Sequence, residues 1–291
     1  MIESAERIDL EEIRIDGPDG RCIRADLRAL HSEGARPLVI VCHGFLGYKR
    51  WGFFPYLSDR IAAAGFHVLT VSFSMSGVDE ATGRIERPGD FAADTVSKEI
   101  EDLESVCRFA RRGALPRPVA PGGWGFVAHS RGSAVVLLAA GDIPEAASIV
   151  TWATPSTLDR YSERRKRLWK RDGALVFGDP RAEGPLRLDY AYYEDIERHA
   201  EEFDLPRAAA SLEIPHLMIH GERDAAVTVG EMRKLYPGGA PGPARVEIIP
   251  GCSHTFGVRH PMGRPPKPLE RAVGLTVDWL GSSLKEERTR L

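Results

Sequence analysis

The stretch AHSRG at residues 128–132 decides the predicted fold, because it has the pattern of a sharp turn between a strand and a helix. The residues two positions before and two positions after Ser130 are both small, and this spacing allows a tight turn with a strained backbone. Such a turn places the Ser130 hydroxyl at the start of the helix, where free amides and the helix dipole favour developing negative charge. The stretch therefore predicts a nucleophilic serine at the end of a buried strand.

Runs of apolar residues predict a sheet whose strands are buried on both faces. Each run is continuous rather than strictly alternating, which is typical of parallel strands covered by helices. The runs are Leu38–Cys42, His67–Phe73, Trp124–Ala128, Ala147–Trp152, His216–His220 and Val246–Ile249. Two polar-patterned segments, Ile8–Ile15 and Cys22–Leu27, predict an additional antiparallel hairpin at the sheet edge.

Helical stripes of apolar residues separate these strands. One stripe, which Gly113 follows as a C-terminal stop, consists of Val96, Ile100, Leu103, Cys107 and Ala110. A second stripe near the C-terminus consists of Leu269, Val273, Val277 and Leu280. Strands that alternate with helices predict an α/β fold, a three-layer sandwich with a mostly parallel central sheet.

Three side chains with complementary chemistry follow the ends of three different strands, in the order Ser130, Asp224, His254. Ligands bind outside the carboxyl ends of the strands in an open parallel sheet, so we expect these side chains to meet there. A nucleophilic serine needs a base to take its proton, and the base needs a carboxylate to orient it. The order and placement therefore predict a catalytic triad.

With these motifs the chain resembles an α/β-hydrolase-fold serine hydrolase over about residues 35–282. HGF at 43–45 resembles the oxyanion loop of that family, and AHSRG at 128–132 resembles its nucleophile elbow. HGERDAAV at 220–227 resembles the acid loop, and GCSH at 251–254 resembles the histidine loop. The chain looks most similar to bacterial esterases of the feruloyl-esterase and serine-aminopeptidase-like group.

The resemblance implies a role for each matching residue. Ser130 is expected to be the nucleophile, His254 the general base and acid, and Asp224 the carboxylate that orients His254. The backbone amides of Phe45 and Arg131 are expected to form the oxyanion hole, which holds the negative charge of the tetrahedral intermediate.

Two alternative residues and two departures from the family pattern accompany this assignment. Asp159 is the alternative acid, and His260 is the alternative histidine. Ala128 stands where the commoner elbow has glycine, but alanine is also small. The stretch SMSG at 74–77 replaces a charged, glycine-rich turn of many relatives, so we expect a different substrate preference.

Residues 155–212 interrupt the strand–helix rhythm, and we predict that they form a helical cap inserted into a core of residues 1–154 and 213–291. Residues 160–171 carry seven basic side chains and one acid, whereas residues 189–204 carry seven acids and one arginine. We expect these two charged segments to attract each other and the cap aromatics to cover the pocket. The predicted pocket residues are Leu46, Met75, Trp152, Tyr161, Trp169, Tyr192 and Tyr193.

Composition and charge exclude several classes of protein. The formal net charge is -3 in 291 residues, which gives no reason to expect a nucleic-acid partner. The longest apolar run, 134–140, is too short to cross a membrane. The start of the chain lacks a signal-peptide pattern and the four cysteines lack CxxC spacing, so we expect a cytoplasmic protein. The sequence does not decide between a monomer and a homodimer. No cofactor-binding motif and no metal-ligand spacing is present in the sequence, so we expect neither.

Together these observations predict a serine carboxylesterase that acts on a small-molecule ester through an acyl-enzyme. A peptidase of the prolyl-aminopeptidase type is one alternative, with Glu194, Asp195, Glu201 or Glu202 holding a substrate amine. Thioester hydrolysis would use the same machinery. A ligand-binding protein without catalysis is the alternative from another class.

Overall fold

The central feature of the fold is one eight-stranded sheet, seen in a computed structural model that describes residues 7–32, 34–236 and 243–285. Numbered along the chain, the strands are β1 (Ile8–Asp16), β2 (Cys22–Leu30), β3 (Leu38–Cys42), β4 (His67–Ser72), β5 (Trp124–His129), β6 (Ala146–Trp152), β7 (Ala174–Phe177), β8 (Leu186–Asp189), β9 (His216–Gly221) and β10 (Ala244–Ile249). The sheet order is β1-β2-β4-β3-β5-β6-β9-β10. The six strands β4, β3, β5, β6, β9 and β10 pair in parallel within it, which confirms the predicted α/β fold.

The antiparallel part of the sheet lies at one edge. β1 and β2 form the predicted hairpin, and β2 also pairs with β4 in the antiparallel sense. The central strands are buried along their whole length, because helices cover both faces and leave no polar side for alternation. Their carboxyl ends therefore open at a common edge, where loops can gather side chains.

Helices form the two outer layers of the sandwich. They are α1 (Phe54–Ala63), α2 (Pro88–Ala92), α3 (Val96–Arg111), α4 (Arg131–Ala139), α5 (Glu163–Asp172), α6 (Ala191–Arg198), α7 (Leu205–Ala210), α8 (Val229–Leu235) and α9 (Lys267–Lys285). α3 and α4 pack with one face of the sheet, whereas α1 and α9 pack with the other. None of the helices in the described part of the chain is long and apolar enough to cross a membrane.

Local sequence explains where α3 begins and ends. The Thr95 side chain caps its first turn by accepting a hydrogen bond from the Lys98 amide. The predicted apolar stripe faces the core, and Gly113 adopts a φ of 69° just beyond the last turn. The same face buries Glu99 and Asp102, which an apolar pattern alone does not lead one to expect.

Residues 155–212, the predicted insertion, lie between β6 and β9 and contain α5, α6 and α7. It also contains the antiparallel pair β7–β8, which the sequence pattern does not predict because both strands are very short. Trp169 anchors its core: the side chain is fully buried, and its indole N–H donates to the Leu188 carbonyl at 2.8 Å. An aromatic cluster around that indole continues into a hydrophobic cluster that includes Val96 of α3, Ala134 of α4 and Met218 of β9, so these residues pack directly on the rest of the fold.

Candidate active site

The AHSRG stretch forms the predicted sharp turn. β5 ends at His129, α4 begins at Arg131, and Ser130 between them has a φ of 55° and a ψ of -123°. A positive φ is strained for a non-glycine residue, so the surroundings must hold it in place. The Ser130 amide donates to the Trp152 carbonyl at 2.8 Å. Gly132 has no space for a side chain, since a Cβ there would lie 2.2 Å from the His43 carbonyl oxygen.

The three predicted catalytic side chains form one hydrogen-bonded chain. His254 Nε2 lies 3.0 Å from Ser130 Oγ, and His254 Nδ1 lies 2.7 Å from Asp224 Oδ2. Asp224 is fully buried, whereas His254 keeps about a fifth of its side chain exposed. This geometry allows His254 to exchange a proton with Ser130 while Asp224 fixes the orientation of the ring.

The surroundings of Asp224 keep its carboxylate ionised. Oδ1 accepts hydrogen bonds from the amides of Ala226 and Val227 at 2.9 and 2.8 Å. Burial by itself raises the pKa of Asp224, but the side chains of His220 and His254 outweigh it and hold that pKa well below its usual value. The carboxylate is therefore charged throughout the neutral range and can stabilise a protonated His254.

The loop after β3 brings a backbone amide next to Ser130. A Cβ on Gly44 would lie 2.9 Å from Ser130 Cβ, so the loop passes as close to the serine as a backbone can. Leu46 has a positive φ of 60°, and the Gly47 amide closes the turn by donating to the Gly44 carbonyl at 2.9 Å. Within the described residues, the amides of Phe45 and Arg131 donate no hydrogen bond. Both amides therefore remain candidates for the predicted oxyanion hole.

His43 ties the loop after β3 to the end of β4, and His129 ties the turn at Ser130 to the loop that carries His254. The Nδ1–H of His43 donates to the Gly44 carbonyl, and its Nε2 accepts a hydrogen bond from the Phe73 amide at 3.0 Å. His129 Nε2 lies 3.0 Å from the His254 carbonyl oxygen, to which it donates. Burial lowers the pKa of His43 to about 4 and that of His129 to about 3, so both rings are neutral near pH 7.

Arg181, in the insertion, contacts the same loop, and the sequence analysis did not single it out. Its guanidinium donates to the Leu46 carbonyl at 2.7 Å and pairs with Asp179 at 2.9 Å. Leu46 directly follows Phe45, whose amide is a predicted oxyanion-hole donor, so this contact helps to fix the position of that amide. No sequence motif marks Arg181, because its partner in the loop is a backbone carbonyl.

The Arg131 side chain is buried and paired, although the sequence predicts a role only for the backbone amide of this residue. It pairs with Asp94 at 2.6 Å and with Glu99 at 2.5 Å, and its guanidinium lies over the Phe45 ring at 4.8 Å. Burial raises the pKa of Glu99 to about 8, and the charge of Asp94 adds to that rise. Burial raises the pKa of Asp94 as well, and the charge of Arg131 opposes the rise at both carboxyl groups.

Two cavities, each of about 420 Å³, meet at Ser130 and His254. The aromatic cavity is defined here by Leu46, Trp51, Phe54, Arg181, Arg259 and His260. The arginine cavity is defined by Arg131, Leu158, Arg160, Tyr161, Arg165 and Tyr192. The Phe45 side chain lines both. Ser130 and His254 thus lie between two separate spaces.

Of the predicted pocket residues, Leu46, Tyr161 and Tyr192 line these cavities, and four others do not. Trp152 lies in the core behind Ser130, where its indole N–H donates to Thr276. Trp169 lies in the core of the insertion. Met75 and Tyr193 line neither cavity at Ser130. Aromatic character alone did not reveal which of these rings pack inward.

The two alternative residues have other partners. Asp159 pairs with Lys166 at 2.6 Å, on the outside of the insertion. His260 accepts a hydrogen bond from the Gly52 amide at 2.9 Å and stacks on Trp51, at the rim of the aromatic cavity. Neither takes part in the hydrogen-bonded chain at Ser130. Across the described ranges, no group of three His, Cys, Asp or Glu side chains could hold a metal ion.

Comparison with known proteins identifies the family and the solved structures with a similar fold. The model of the alpha/beta hydrolase family matches residues 39–271. Est1E from Butyrivibrio proteoclasticus with ferulic acid bound superposes with a TM-score of 0.71 at 18% identity, over 93% of this chain and 98% of that chain. A putative hydrolase from Agrobacterium vitis S4 superposes with a TM-score of 0.69 at 18% identity, over 94% of this chain and 99% of that chain.

A third solved structure and the curated proteins complete the comparison. The esterase domain of a Rhodothermus marinus protein gives a TM-score of 0.63 at 19% identity, over 94% of this chain and 98% of that chain. At identities this low the likeness is one of fold. A search of curated proteins finds no match to the sequence.

Proposed function

The chain belongs to the alpha/beta hydrolase family, and from that premise we propose that it is a serine hydrolase that cleaves small carboxylic esters through an acyl-enzyme. The observation that carries this proposal is the hydrogen-bonded chain of Ser130, His254 and Asp224, with separations of 3.0 and 2.7 Å. Ser130 has a positive φ, and the nearby amides of Phe45 and Arg131 donate no hydrogen bond within the described residues; both features support the same chemistry.

The reaction proceeds in two halves. Ser130 Oγ attacks the ester carbonyl carbon while His254 Nε2 takes its proton, and the amides of Phe45 and Arg131 donate to the developing oxyanion. His254 then gives the proton to the departing alcohol, which leaves an acyl group on Ser130. Water, deprotonated by His254, attacks the acyl carbon, and the acid departs as Ser130 regains its proton.

Residues 155–212 act in this proposal as a cap over the two cavities. Contacts from Arg181 to the oxyanion loop, and from Tyr161 and Tyr192 to the arginine cavity, support that role. The ferulic acid bound to Est1E and the esterase domain from Rhodothermus marinus favour an ester as substrate. A cytoplasmic site of action agrees with four cysteines that are all free thiols.

The placement of the acidic residues disfavours the aminopeptidase alternative. Asp195 accepts hydrogen bonds from the Ser97 amide and hydroxyl, so it caps α3 rather than facing a substrate. Glu194, Glu201 and Glu202 are exposed and line neither cavity at Ser130. The described cavities therefore offer no unpaired carboxylate to hold a substrate amine.

A substrate comparison tests the proposal. We expect the wild-type protein to hydrolyse p-nitrophenyl butyrate with a kcat/KM at least about 100-fold above that for alanine or proline p-nitroanilide. The expected cause is the easier departure of an alcohol and the absence of a carboxylate that could hold the amine. Greater activity on the anilides would instead favour the peptidase, and equal inactivity on both would favour a binding protein.

A further inference from the structure

The arginine cavity is positively charged, whereas an ester pocket needs no charge. Its lining includes Arg131, Arg160 and Arg165 and contains no carboxylate. It opens directly on Ser130 and His254, so a group bound there belongs to the molecule under attack. The charge of this cavity therefore bears on which substrates the protein accepts.

Two of the three arginines are already neutralised. Arg131 pairs with the carboxyl groups of Asp94 and Glu99. Arg160 pairs with Glu231 at 2.5 Å and also donates to the Ala226 carbonyl. Neither guanidinium brings uncompensated charge into the cavity.

Arg165 differs from both. In the described part of the chain no carboxylate lies within ion-pair distance of it, and its guanidinium donates no hydrogen bond. The guanidinium lies 5.8 Å from the centre of the Tyr161 ring, which also lines the cavity. An arginine stacked on an aromatic ring loses less freedom when it binds an anion.

The acidic segment, residues 189–204, does not supply the missing partner. No ion pair joins it to the basic segment, residues 160–171, both of which the structure describes in full. Lys166, the neighbour of Arg165, pairs instead with Asp159 and Glu163. The expected attraction between the two segments is therefore not made by direct ion pairs, and Arg165 has no carboxylate partner within the described ranges.

We propose that the arginine cavity binds a carboxylate carried by the substrate, and that Arg165 is the specificity-determining residue that pairs with it. This inference rests on the proposed esterase function, whose substrates it narrows to half-esters and other anionic esters. The guanidinium fork matches a carboxylate with two parallel hydrogen bonds. Tyr161 and Tyr192 line the walls of the cavity and leave space for the connecting carbon chain.

The test compares charged and neutral esters of matched length. The pairs are mono-p-nitrophenyl glutarate against p-nitrophenyl pentanoate, and 4-carboxyphenyl butyrate against phenyl butyrate, so that the carboxylate lies in the acyl group or in the leaving group. We expect the wild type to prefer the charged member of one pair. Arg165→Gln should lower that charged-to-neutral ratio of kcat/KM about tenfold.

Two control variants and one binding measurement make the test decisive. Arg164→Gln removes the neighbouring exposed charge on α5, which does not line the cavity, and should leave the ratio unchanged. An unchanged ratio in Arg165→Gln, or an equal loss in Arg259→Gln of the aromatic cavity, would overturn the inference.

If no ester is hydrolysed, the proposed function fails instead. Calorimetric titration with glutarate then decides this inference: it should bind the wild type and at least about tenfold more weakly to Arg165→Gln, and equal binding would overturn it.

Discussion

Ser130→Ala is expected to lower kcat for p-nitrophenyl butyrate by about 10⁵-fold or more, because removal of the nucleophile abolishes the acyl-enzyme pathway. The remaining turnover should come from direct attack by water, with the amides of Phe45 and Arg131 stabilising the oxyanion. The substitution removes one oxygen atom, so the fold should persist. Initial rates at saturating substrate measure the loss of kcat, and circular dichroism on the same sample shows whether the fold persists.

Ser253→Ala provides the matched control. Ser253 precedes His254 in sequence and is exposed, and its hydroxyl accepts a hydrogen bond from the Gly257 amide at 3.3 Å. It is expected to keep kcat within about threefold of the wild type. Full turnover by Ser130→Ala would mean that the hydrogen-bonded chain at Ser130 has no part in ester hydrolysis.

Asp224→Asn should produce the second largest loss, about 10⁴-fold in kcat near pH 7. Asparagine can still accept the hydrogen bonds from the Ala226 and Val227 amides, so the loop should keep its shape. It cannot supply the negative charge that stabilises protonated His254, and its amide favours the wrong tautomer of that ring. The pH dependence of kcat/KM should change with it, since the low pKa of Asp224 keeps the wild-type carboxylate charged well into the acid range.

Asp159→Asn tests the alternative hypothesis that Asp159, rather than Asp224, is the acid of the triad. Asp159 pairs with Lys166 at the surface of the insertion, and such exposed pairs contribute little. We expect less than a threefold change in kcat from this variant. A loss confined to Asp159→Asn, with Asp224→Asn close to wild type, would transfer the acid role to Asp159.

Most of the fold follows from the sequence because its central strands are buried on both faces. Continuous apolar runs such as Leu38–Cys42 mark such strands, and the structure extends several of them by only one or two residues. The pair β7–β8 escaped prediction because strands of four residues give no reliable periodicity. Their pairing depends on packing around Trp169, which local sequence does not report.

The principal site residues follow from order along the chain, because each comes shortly after a strand whose end lies at the same sheet edge. Contacts that join distant segments do not follow in this way. Arg181 bonds to a backbone carbonyl of the oxyanion loop, and any residue at position 46 would offer that carbonyl. Glu99 carries a detectable signal, since it lies on the apolar face of α3 and a carboxylate there requires a buried partner.

The pocket was the least predictable part of the site. Tyr161 and Tyr192 line a cavity at Ser130, whereas Trp169 and Tyr193 do not, although all four belong to one aromatic cluster. Which face of such a cluster meets the active site depends on how the insertion packs on the core. The sequence shows that residues 160–171 are strongly basic, but it does not show that Arg165, unlike Lys166, has no carboxylate partner among the described residues.

The central claim, that Ser130 is an activated nucleophile, is tested most directly by covalent labelling of the intact protein with a fluorophosphonate. Peptide mapping by mass spectrometry should place a single adduct on Ser130, and its formation should run in parallel with the loss of p-nitrophenyl butyrate hydrolysis. Folded protein that hydrolyses the ester without any adduct at Ser130, or with its adduct on another residue, would contradict the account.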